Sequence, residues 1–276
     1  MARLDGKTAI VTGASSGNGR SMAVALAKEG ASLVCADLQK STKEGGFDAQ
    51  PDVDTDDLIR EYGGQALHVR ADVSEAADAE SIVAQAVEAF GRVDVLINNA
   101  GIMTANFGSI VDDTEENYER VMRVNTKGQW LCSKYAIAQM MRQPLEARIR
   151  GKIINLASIS GTVMAFPGAT QYAMSKGAVE GMTLALAAEC APARITVNAI
   201  APGFFRTALL SRYQDEAVIA GIVEAVPLGE IGRPEDLGGL ATFLASKDSD
   251  YLTGLLIPLD GGFTAIGKLP GLGGQH

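Results

Sequence analysis

A tyrosine, a lysine and a serine near the middle of the chain could together remove a proton from an alcohol. Tyr172 and Lys176 stand one helical turn apart in "YAMSK", so a helix would place them on one face. A phenol with an ordinary pKa of about 10 is a weak base at neutral pH, but an ammonium nearby can lower that pKa by about 1–3 units. Ser158, in the preceding "NLASISG", could hydrogen-bond the substrate oxygen. A polar helix face with no catalytic role is the alternative for the Tyr–Lys pair.

A glycine-rich stretch follows the first apolar run. "TGASSGNGR" contains Gly13, Gly17 and Gly19 and leads into a helical pattern. A glycine turn between a strand and a helix lets the backbone approach a pyrophosphate, whose charge is met by N–H groups at the helix N-terminus. The spacing departs from G-x-G-x-x-G, so the motif alone also fits a flexible turn. Its place in the chain favours a dinucleotide site.

An acidic residue ends the second predicted strand. Asp37 lies 24 positions after Gly13 of the glycine turn. This is near the offset of about 20 residues at which a carboxylate binds the adenosine ribose hydroxyls. The same carboxylate would repel a 2′-phosphate. No arginine follows Asp37 directly, and the turn offers only Ser15 and Ser16, so NAD is favoured over NADP. Lys40 and Lys43 keep NADP open, and an ordinary turn carboxylate is the alternative for Asp37.

Short β-rich runs alternate with helical patterns along the chain. The predicted strands, apolar on both faces, are Thr8–Thr12, Ser32–Ala36, Ala66–Arg70, Val93–Asn98, Lys152–Leu156, Ile195–Ile200 and Leu255–Leu259. The predicted helices are Gly19–Glu29, Thr55–Tyr62, Glu75–Phe90, Glu115–Met141, Tyr172–Cys190 and Glu235–Ala245. This alternation predicts an α/β fold with one doubly wound, seven-stranded parallel sheet and helices on both faces. We expect a single domain over residues 1–262 and a C-terminal tail over 263–276 that either lies at a subunit interface or is disordered.

Polar and small residues follow the third and fourth predicted strands. They belong to "ADV" and to "NNAG". Ligands of open parallel sheets bind beyond the carboxyl ends of the strands, so both segments are expected beside the glycine turn. Asp72 could meet the adenine amino group, while Asn98 and Asn99 could hold the groove in shape. Closing a strand into a turn is the alternative for the asparagines.

The composition of the chain narrows the function classes. The 276 residues have a net charge of −9, with basic residues scattered singly, which argues against nucleic-acid binding and polybasic membrane anchoring. No apolar run is long enough to span a bilayer and no signal peptide is visible. Three dispersed cysteines and two histidines predict neither disulfides nor a metal site. We expect a cytoplasmic protein with a small-molecule partner.

Taken in order, these motifs resemble the short-chain dehydrogenase/reductase family over nearly the whole chain, from "TGASSGNG" through "NNAG" and "YAMSK" to "LDGG". The resemblance implies a Rossmann-like fold in which Tyr172 is the general acid/base, Lys176 assists it and binds the nicotinamide ribose, and Ser158 positions the substrate oxygen. It also implies that Asn125 interrupts its helix so that a backbone carbonyl can hold a proton-relay water. The implied cofactor residues are Gly13, Ser15, Ser16, Asn18, Gly19, Asp37, Asp72, Val73, Asn99, Ala100, Gly101, Tyr172, Lys176, Pro202, Gly203 and Thr207. Asn18 is a departure, because an apolar residue is usual there.

The segment 204–232 corresponds to the family's substrate lid. Substrate-binding residues are expected to be Ser158 and Tyr172 together with Phe204, Phe205 and Arg206. Leu209, Leu210 and Tyr213 add apolar surface. Arg206 and Arg212 could bind an anionic group or face water. The family commonly forms homotetramers, and the small residues that would permit close helix packing are Gly177, Ala178, Gly181, Ala185, Ala187 and Ala188.

The expected activity is an NAD-dependent interconversion of a secondary alcohol with its ketone or lactone, with a sugar or cyclic polyol among the candidate substrates. An NADP-dependent ketoreductase of the 3-oxoacyl type is the alternative within enzymes. A catalytically silent nucleotide-binding regulatory protein is the alternative from another class. The presence of Ser158, Tyr172, Lys176 and Asn125 counts against the silent protein.

Overall fold

Seven parallel strands form one sheet in the computed structural model, which describes residues 2–103, 108–210 and 216–265. The order across the sheet is β3-β2-β1-β4-β5-β6-β7, so the predicted fold class is confirmed. The strands are β1 Thr8–Thr12, β2 Ser32–Asp37, β3 Ala66–Arg70, β4 Val95–Asn98, β5 Gly151–Leu156, β6 Ile195–Pro202 and β7 Leu256–Leu259. The chain order reverses between β1 and β4, and a crevice is expected beyond the carboxyl ends of strands at such a point.

Helices cover both faces of the sheet. They are α1 Gly17–Lys28, α2 Thr55–Glu61, α3 Ala76–Phe90, α4 Glu115–Met122, α5 Gln129–Arg142, α6 Thr170–Cys190, α7 Glu216–Ala225 and α8 Pro234–Ala245. Helix α7 lies within the predicted lid and was not expected as a helix. Within the described residues, no helix is both long and apolar enough to cross a membrane.

Successive side chains of the central strands are buried in different apolar clusters on the two faces of the sheet. Val11 and Ile97 are buried with Met22 of α1 in one apolar cluster. Their neighbours Ile10 and Leu96, which are register partners, are buried in a second cluster with residues of α3 and α5. Because both faces of the sheet are covered, its strands have no polar face, which explains their nearly continuous apolar sequences.

The single helix predicted over Glu115–Met141 is wrong. A π-helical segment, Arg123–Gly128, separates α4 from α5. Two long-range contacts accompany it. The Asn125 side chain bonds the backbone of Ile102, and a Cβ on Gly128 would lie only 2.8 Å from Val73 Cγ2. The wider turn is therefore tied to the loops after β4 and β3, and helical periodicity alone could not predict it.

The loop after β5 lies against the first turns of α6. Gly161 has φ +96°, and a Cβ there would lie 2.0 Å from the carbonyl oxygen of Ala173. A Cβ on Gly177 would lie 2.8 Å from the carbonyl oxygen of Gly161. Gly177 therefore serves a contact within the chain, and Ala187 is buried in the core.

Candidate active site

Ser158, Tyr172 and Lys176 line one cleft of about 170 Å³ at the carboxyl ends of the strands. Ser158 follows β5, whereas Tyr172 and Lys176 lie one turn apart near the start of α6. The close approach at Gly161 draws the two segments together. The fold thus assembles the predicted proton-transfer group from two separate elements.

The Ser158 hydroxyl is fixed by its own loop. Its oxygen accepts a hydrogen bond from the Ser160 N–H at 3.2 Å, and its carbonyl oxygen accepts one from the Thr162 hydroxyl at 2.5 Å. The side chain is buried but lines the cleft. Since the hydroxyl oxygen accepts in this contact, its proton can be donated to a substrate oxygen.

The Lys176 ammonium is buried beside the Tyr172 ring. Its Nζ lies 5.8 Å from the ring centroid and donates to the carbonyl oxygen of Leu156 at 2.7 Å. The residue is only 4% exposed. Burial lowers the pKa of Lys176 from 10.5 to about 8, because the charged form loses hydration. At neutral pH the lysine still carries a proton, and its charge faces the tyrosine.

Asn125 contributes by positioning other segments. Its Oδ1 accepts from the Ile102 N–H at 2.8 Å, and its Nδ2 donates to the Ile102 carbonyl at 2.9 Å and to the Ser175 hydroxyl at 3.0 Å. These bonds join the loop after β4 to α6. The π-helical segment lies where the family resemblance implies an interruption. The proton-relay role of the backbone carbonyl remains a prediction.

The glycine turn is packed too closely for side chains. A Cβ on Gly19 would lie 2.0 Å from the Gly13 carbonyl oxygen, and one on Gly13 would lie 2.9 Å from the Ala100 Cα. Asn99 Nδ2 donates to the carbonyls of Thr12 and Gly13 at 2.9 and 3.0 Å, so it holds the turn as expected. This bare backbone fits a pyrophosphate at the start of α1.

Two more features beside the turn fit a dinucleotide. Asn18 lines the cleft, and its buried Oδ1 has no hydrogen-bond partner among the described residues, so it can accept from a ligand. Thr207 reaches the turn from the loop after β6, with its Cγ2 only 3.2 Å from where a Cβ on Gly17 would lie. The predicted cofactor residues therefore come from both sides of one groove.

The Asp37 carboxylate lies over the same turn. Its two oxygens accept from the N–H groups of Ser15, at 3.0 Å, and Leu38, at 2.8 Å. The Ser15 hydroxyl is itself committed, because it donates to the Gln39 carbonyl at 2.5 Å. Ser16 is the N-cap residue of α1 and makes no side-chain cap. The carboxylate thus lies beside the glycine turn at the end of β2, the position from which it is predicted to bind the adenosine ribose.

The remaining predicted cofactor residues also make contacts within the chain, and their cofactor contacts stay predictions. Asp72 Oδ1 accepts from the N–H and hydroxyl of Ser74, and Val73 is buried against Gly128. Gly101 lies at the cleft beside Asn125.

The segment after β6 also lines the cleft. Its cleft-lining residues are Pro202, Gly203, Phe204, Phe205, Thr207, Leu209 and Leu210. Arg206 is exposed and does not line the cleft, while Arg212 and Tyr213 lie outside the described residues.

A family model described as Enoyl-(Acyl carrier protein) reductase matches residues 13–264. A short-chain type dehydrogenase/reductase from Mycobacterium marinum superposes with a TM-score of 0.84 and 36% identity, covering 95% of this chain and 97% of that one. The chain belongs to the short-chain dehydrogenase/reductase family. It is therefore an oxidoreductase of that family, and the predicted resemblance is confirmed.

Further members of the family have different names, and one of them has a known bound cofactor. Oxidoreductase UcpA of Salmonella typhimurium is 37% identical over 274 residues, covering 96% of this chain and 97% of its own. A structure from Agrobacterium tumefaciens, provisionally named 2-deoxy-D-gluconate 3-dehydrogenase, contains bound NADP. It is 33% identical with a TM-score of 0.82 and coverages of 95% and 98%. Family membership therefore leaves the substrate and the choice of cofactor to this chain's own residues.

Two parts of the site could not be found from sequence motifs. Phe166, between β5 and α6, lines the cleft without any periodic pattern around it. Asp48 comes from the loop 38–54 that follows β2. Its Oδ1 accepts from the Gly17 N–H at 2.7 Å, at the first residue of α1. The loop thus supplies a carboxylate to the position expected for a cofactor anion in this family member.

A buried arginine holds this loop against α1. The Arg20 guanidinium is 4% exposed and donates to the carbonyls of Val53, Gln50 and Ala49 at 2.7, 3.0 and 3.3 Å. Burial raises the pKa of the Asp48 carboxyl, partly offset by its bond from the Gly17 N–H and by Arg20. A negative charge here would compete with the pyrophosphate of a bound dinucleotide for the N-terminus of α1.

We therefore expect Asp48→Asn to bind NAD more tightly. The amide keeps an acceptor for the Gly17 N–H but removes the charge, and Coulomb energies at partly exposed sites predict a dissociation constant about 3–10-fold lower. Titration of the purified protein with NAD by calorimetry measures it. Asp52→Asn, at an exposed position of the same loop, is the matched control. Weaker binding by Asp48→Asn would show instead that the carboxylate contacts the cofactor favourably.

Proposed function

We propose that this protein is an NAD-dependent dehydrogenase that interconverts a secondary alcohol and its ketone. The observation that carries the proposal is the convergence of Ser158, Tyr172 and Lys176 at one cleft that opens beside the glycine turn. A nucleotide-binding protein without catalysis would have no need for a buried ammonium beside a phenol. Burying that charge is unfavourable for folding, so its presence supports chemistry.

The three side chains can divide the proton-transfer step among them. The Ser158 hydroxyl donates to the substrate oxygen and holds it near Tyr172. The Tyr172 oxygen accepts the hydroxyl proton, and the Lys176 ammonium favours the resulting phenolate. When bound, a nicotinamide cofactor supplies the hydride acceptor for the carbinol carbon. Loss of one proton and one hydride turns the alcohol into a ketone, and the reverse transfers reduce the ketone.

The charges around β2 support NAD as the cofactor. The Asp37 carboxylate occupies the strand end, where it can bind ribose hydroxyls and repel a 2′-phosphate. Lys40, the first cation that follows Asp37 in the chain, is already paired, with its Nζ 2.7, 3.3 and 3.5 Å from carboxylate oxygens of Asp57, Asp54 and Asp56. Lys43 is exposed. The family includes an NADP-bound member, so this preference is a property proposed for this chain.

Asp37→Ser is expected to weaken discrimination against NADP. Removing the carboxylate removes both the ribose acceptor and the repulsion of a 2′-phosphate, so the ratio of kcat/KM for NAD to that for NADP should fall at least about tenfold. Initial rates of alcohol oxidation, followed through absorbance of the reduced cofactor, measure this ratio. Asp52→Ser is the control for a lost loop carboxylate. An unchanged ratio for Asp37→Ser would remove the basis of the NAD assignment.

A panel of secondary alcohols and ketones tests the activity itself. We expect oxidation of at least one alcohol with NAD, and reduction of its ketone with NADH. If no member of an acyclic, cyclic, aromatic and polyol panel reacts in either direction while NAD binds, a silent nucleotide-binding protein becomes the better account.

We also propose a homotetramer. Met174 and Leu184 of α6 are about half exposed in the single chain, and Gly181 has no heavy atom near the position of a Cβ. A partner helix could cover this face.

A further inference from the structure

We propose that the substrate is an alcohol with an apolar ring next to its carbinol carbon, and that Phe166, Phe204 and Phe263 determine this preference. The inference rests on the proposed alcohol dehydrogenase function and names its substrate class. Sugars and polyols, which the sequence left among the candidates, are excluded by it.

The three phenylalanines form one aromatic cluster. The ring centroids of Phe166 and Phe204 lie 5.4 Å apart, those of Phe204 and Phe263 lie 5.3 Å apart in an edge-to-face arrangement, and those of Phe166 and Phe263 lie 6.3 Å apart. These separations are typical of favourable aromatic pairs. Each ring comes from the loop after a different strand, β5, β6 or β7. Phe166 and Phe204 line the cleft that contains Ser158 and Tyr172.

Most other residues that line the cleft around Ser158 and Tyr172 are also apolar, although the Ser160 hydroxyl lies there without a hydrogen-bond partner among the described residues. The apolar lining includes Ile102, Met103, Ile159, Leu209 and Leu210. Within the described residues, Lys176 is the one charged side chain of the lining, and its ammonium is directed to the Leu156 carbonyl. A polyol would lose hydration of several hydroxyls here and find few partners, whereas a ring would lose only unfavourable contact with water.

Phe263 is the member of the aromatic cluster that does not line the cleft. Its turn is fixed by Asp260, whose carboxylate accepts from the N–H groups of Gly262 and Thr264, both at 2.9 Å, and from the Thr264 hydroxyl at 2.5 Å. Phe263 also lines a second cavity of about 530 Å³, together with residues that include Met164 and Pro227. Because Phe263 also packs against Phe166 and Phe204, which line the cleft, we infer that it closes the cleft toward this second cavity and limits the size of the substrate ring.

Matched substrates and variants test the proposal. For the wild type, kcat/KM for 1-phenylethanol should exceed that for 2-butanol by about 30-fold, from burial of the additional ring surface, and sorbitol should not react. Phe166→Ala and Phe204→Ala should each lower this preference at least about fivefold. Phe263→Ala should raise the ratio of 1-(2-naphthyl)ethanol to 1-phenylethanol at least about fivefold by opening the second cavity. Phe90→Leu is the control. Phe90 lies at the end of α3 and packs against the apolar cluster that contains Ile10 and Leu96, so its replacement should change neither ratio.

The outcomes separate the substrate class from the proposed function. If the wild type oxidises 2-butanol or sorbitol as well as 1-phenylethanol, the ring preference is overturned and the dehydrogenase function stands. If no alcohol reacts, the dehydrogenase function fails. Binding of acetophenone and 2-butanone, measured by saturation-transfer NMR, then tests the preference for a ring independently of turnover. Tighter binding of acetophenone that is lost in Phe204→Ala supports it. Equal binding of the two ketones, or no effect of Phe204→Ala, overturns it.

Discussion

Replacement of Tyr172 with phenylalanine is expected to lower kcat for alcohol oxidation by roughly 10²–10⁴-fold, the usual contribution of a positioned acid–base group. The ring that lies 5.8 Å from Lys176 Nζ is retained, so packing of the cleft should change little. What disappears is the oxygen that accepts the hydroxyl proton. We therefore expect the loss in kcat, with the dissociation constant for NAD changed by less than about fivefold.

Steady-state rates on an alcohol that the wild type oxidises, paired with calorimetric titration of NAD, measure the two quantities. Tyr62→Phe removes an exposed phenol hydroxyl at the end of α2 and controls for the loss of a tyrosine as such. Near-native turnover by Tyr172→Phe would mean that another group accepts the proton.

Replacement of Lys176 with methionine is expected to reduce activity and at the same time to stabilise the fold. An ammonium lowers the pKa of a neighbouring acid by about 1–3 units, so its removal should lower the rate at neutral pH roughly 10- to 1000-fold. The stability effect has the opposite sign. The Lys176 ammonium is buried, whereas the Leu156 carbonyl to which it donates also accepts from Gln129 Nε2 at 3.1 Å and so keeps a partner.

The sign of the pH dependence follows from the lowered pKa of Lys176. In the unfolded chain the lysine titrates near 10.5, and in the fold burial lowers the pKa to about 8. Between these values the unfolded chain binds more protons, so wild-type stability rises with pH across the window. The unfavourable burial of the ammonium is fully present below about pH 8, and methionine removes it there. The expected gain in the free energy of unfolding at about pH 7 is of order 1–3 kcal/mol, and it should vanish above about pH 10.5.

Urea unfolding of the wild type and Lys176→Met at neutral and alkaline pH measures this difference. Lys247→Met, at an exposed position, should show neither the gain nor its pH dependence. A Lys176→Met protein that is less stable than the wild type at neutral pH would contradict the assignment of an unfavourable buried charge.

The fold could be predicted from the sequence because burial on both faces leaves its mark on each strand. Ile10 and Val11, adjacent in the chain, enter different cores, and both are apolar for that reason. Periodicity failed over Glu115–Met141, where the helix is interrupted at Asn125. The interruption accompanies bonds between Asn125 and Ile102, and helical spacing carries no information about such a distant partner.

The sequence by itself determined the strand–helix order, the glycine turn with Asp37 at the next strand end, and the helical spacing of Tyr172 and Lys176. These features depend on local spacing and on the rule that parallel strands end at one edge of the sheet. Only the tertiary structure decided that Asp48 lies at the start of α1 and that Phe166, Phe204 and Phe263 form one aromatic cluster. It also decided that Arg206 is exposed and does not line the cleft. Each depends on loops whose course is set by distant contacts, and loop composition does not specify those contacts.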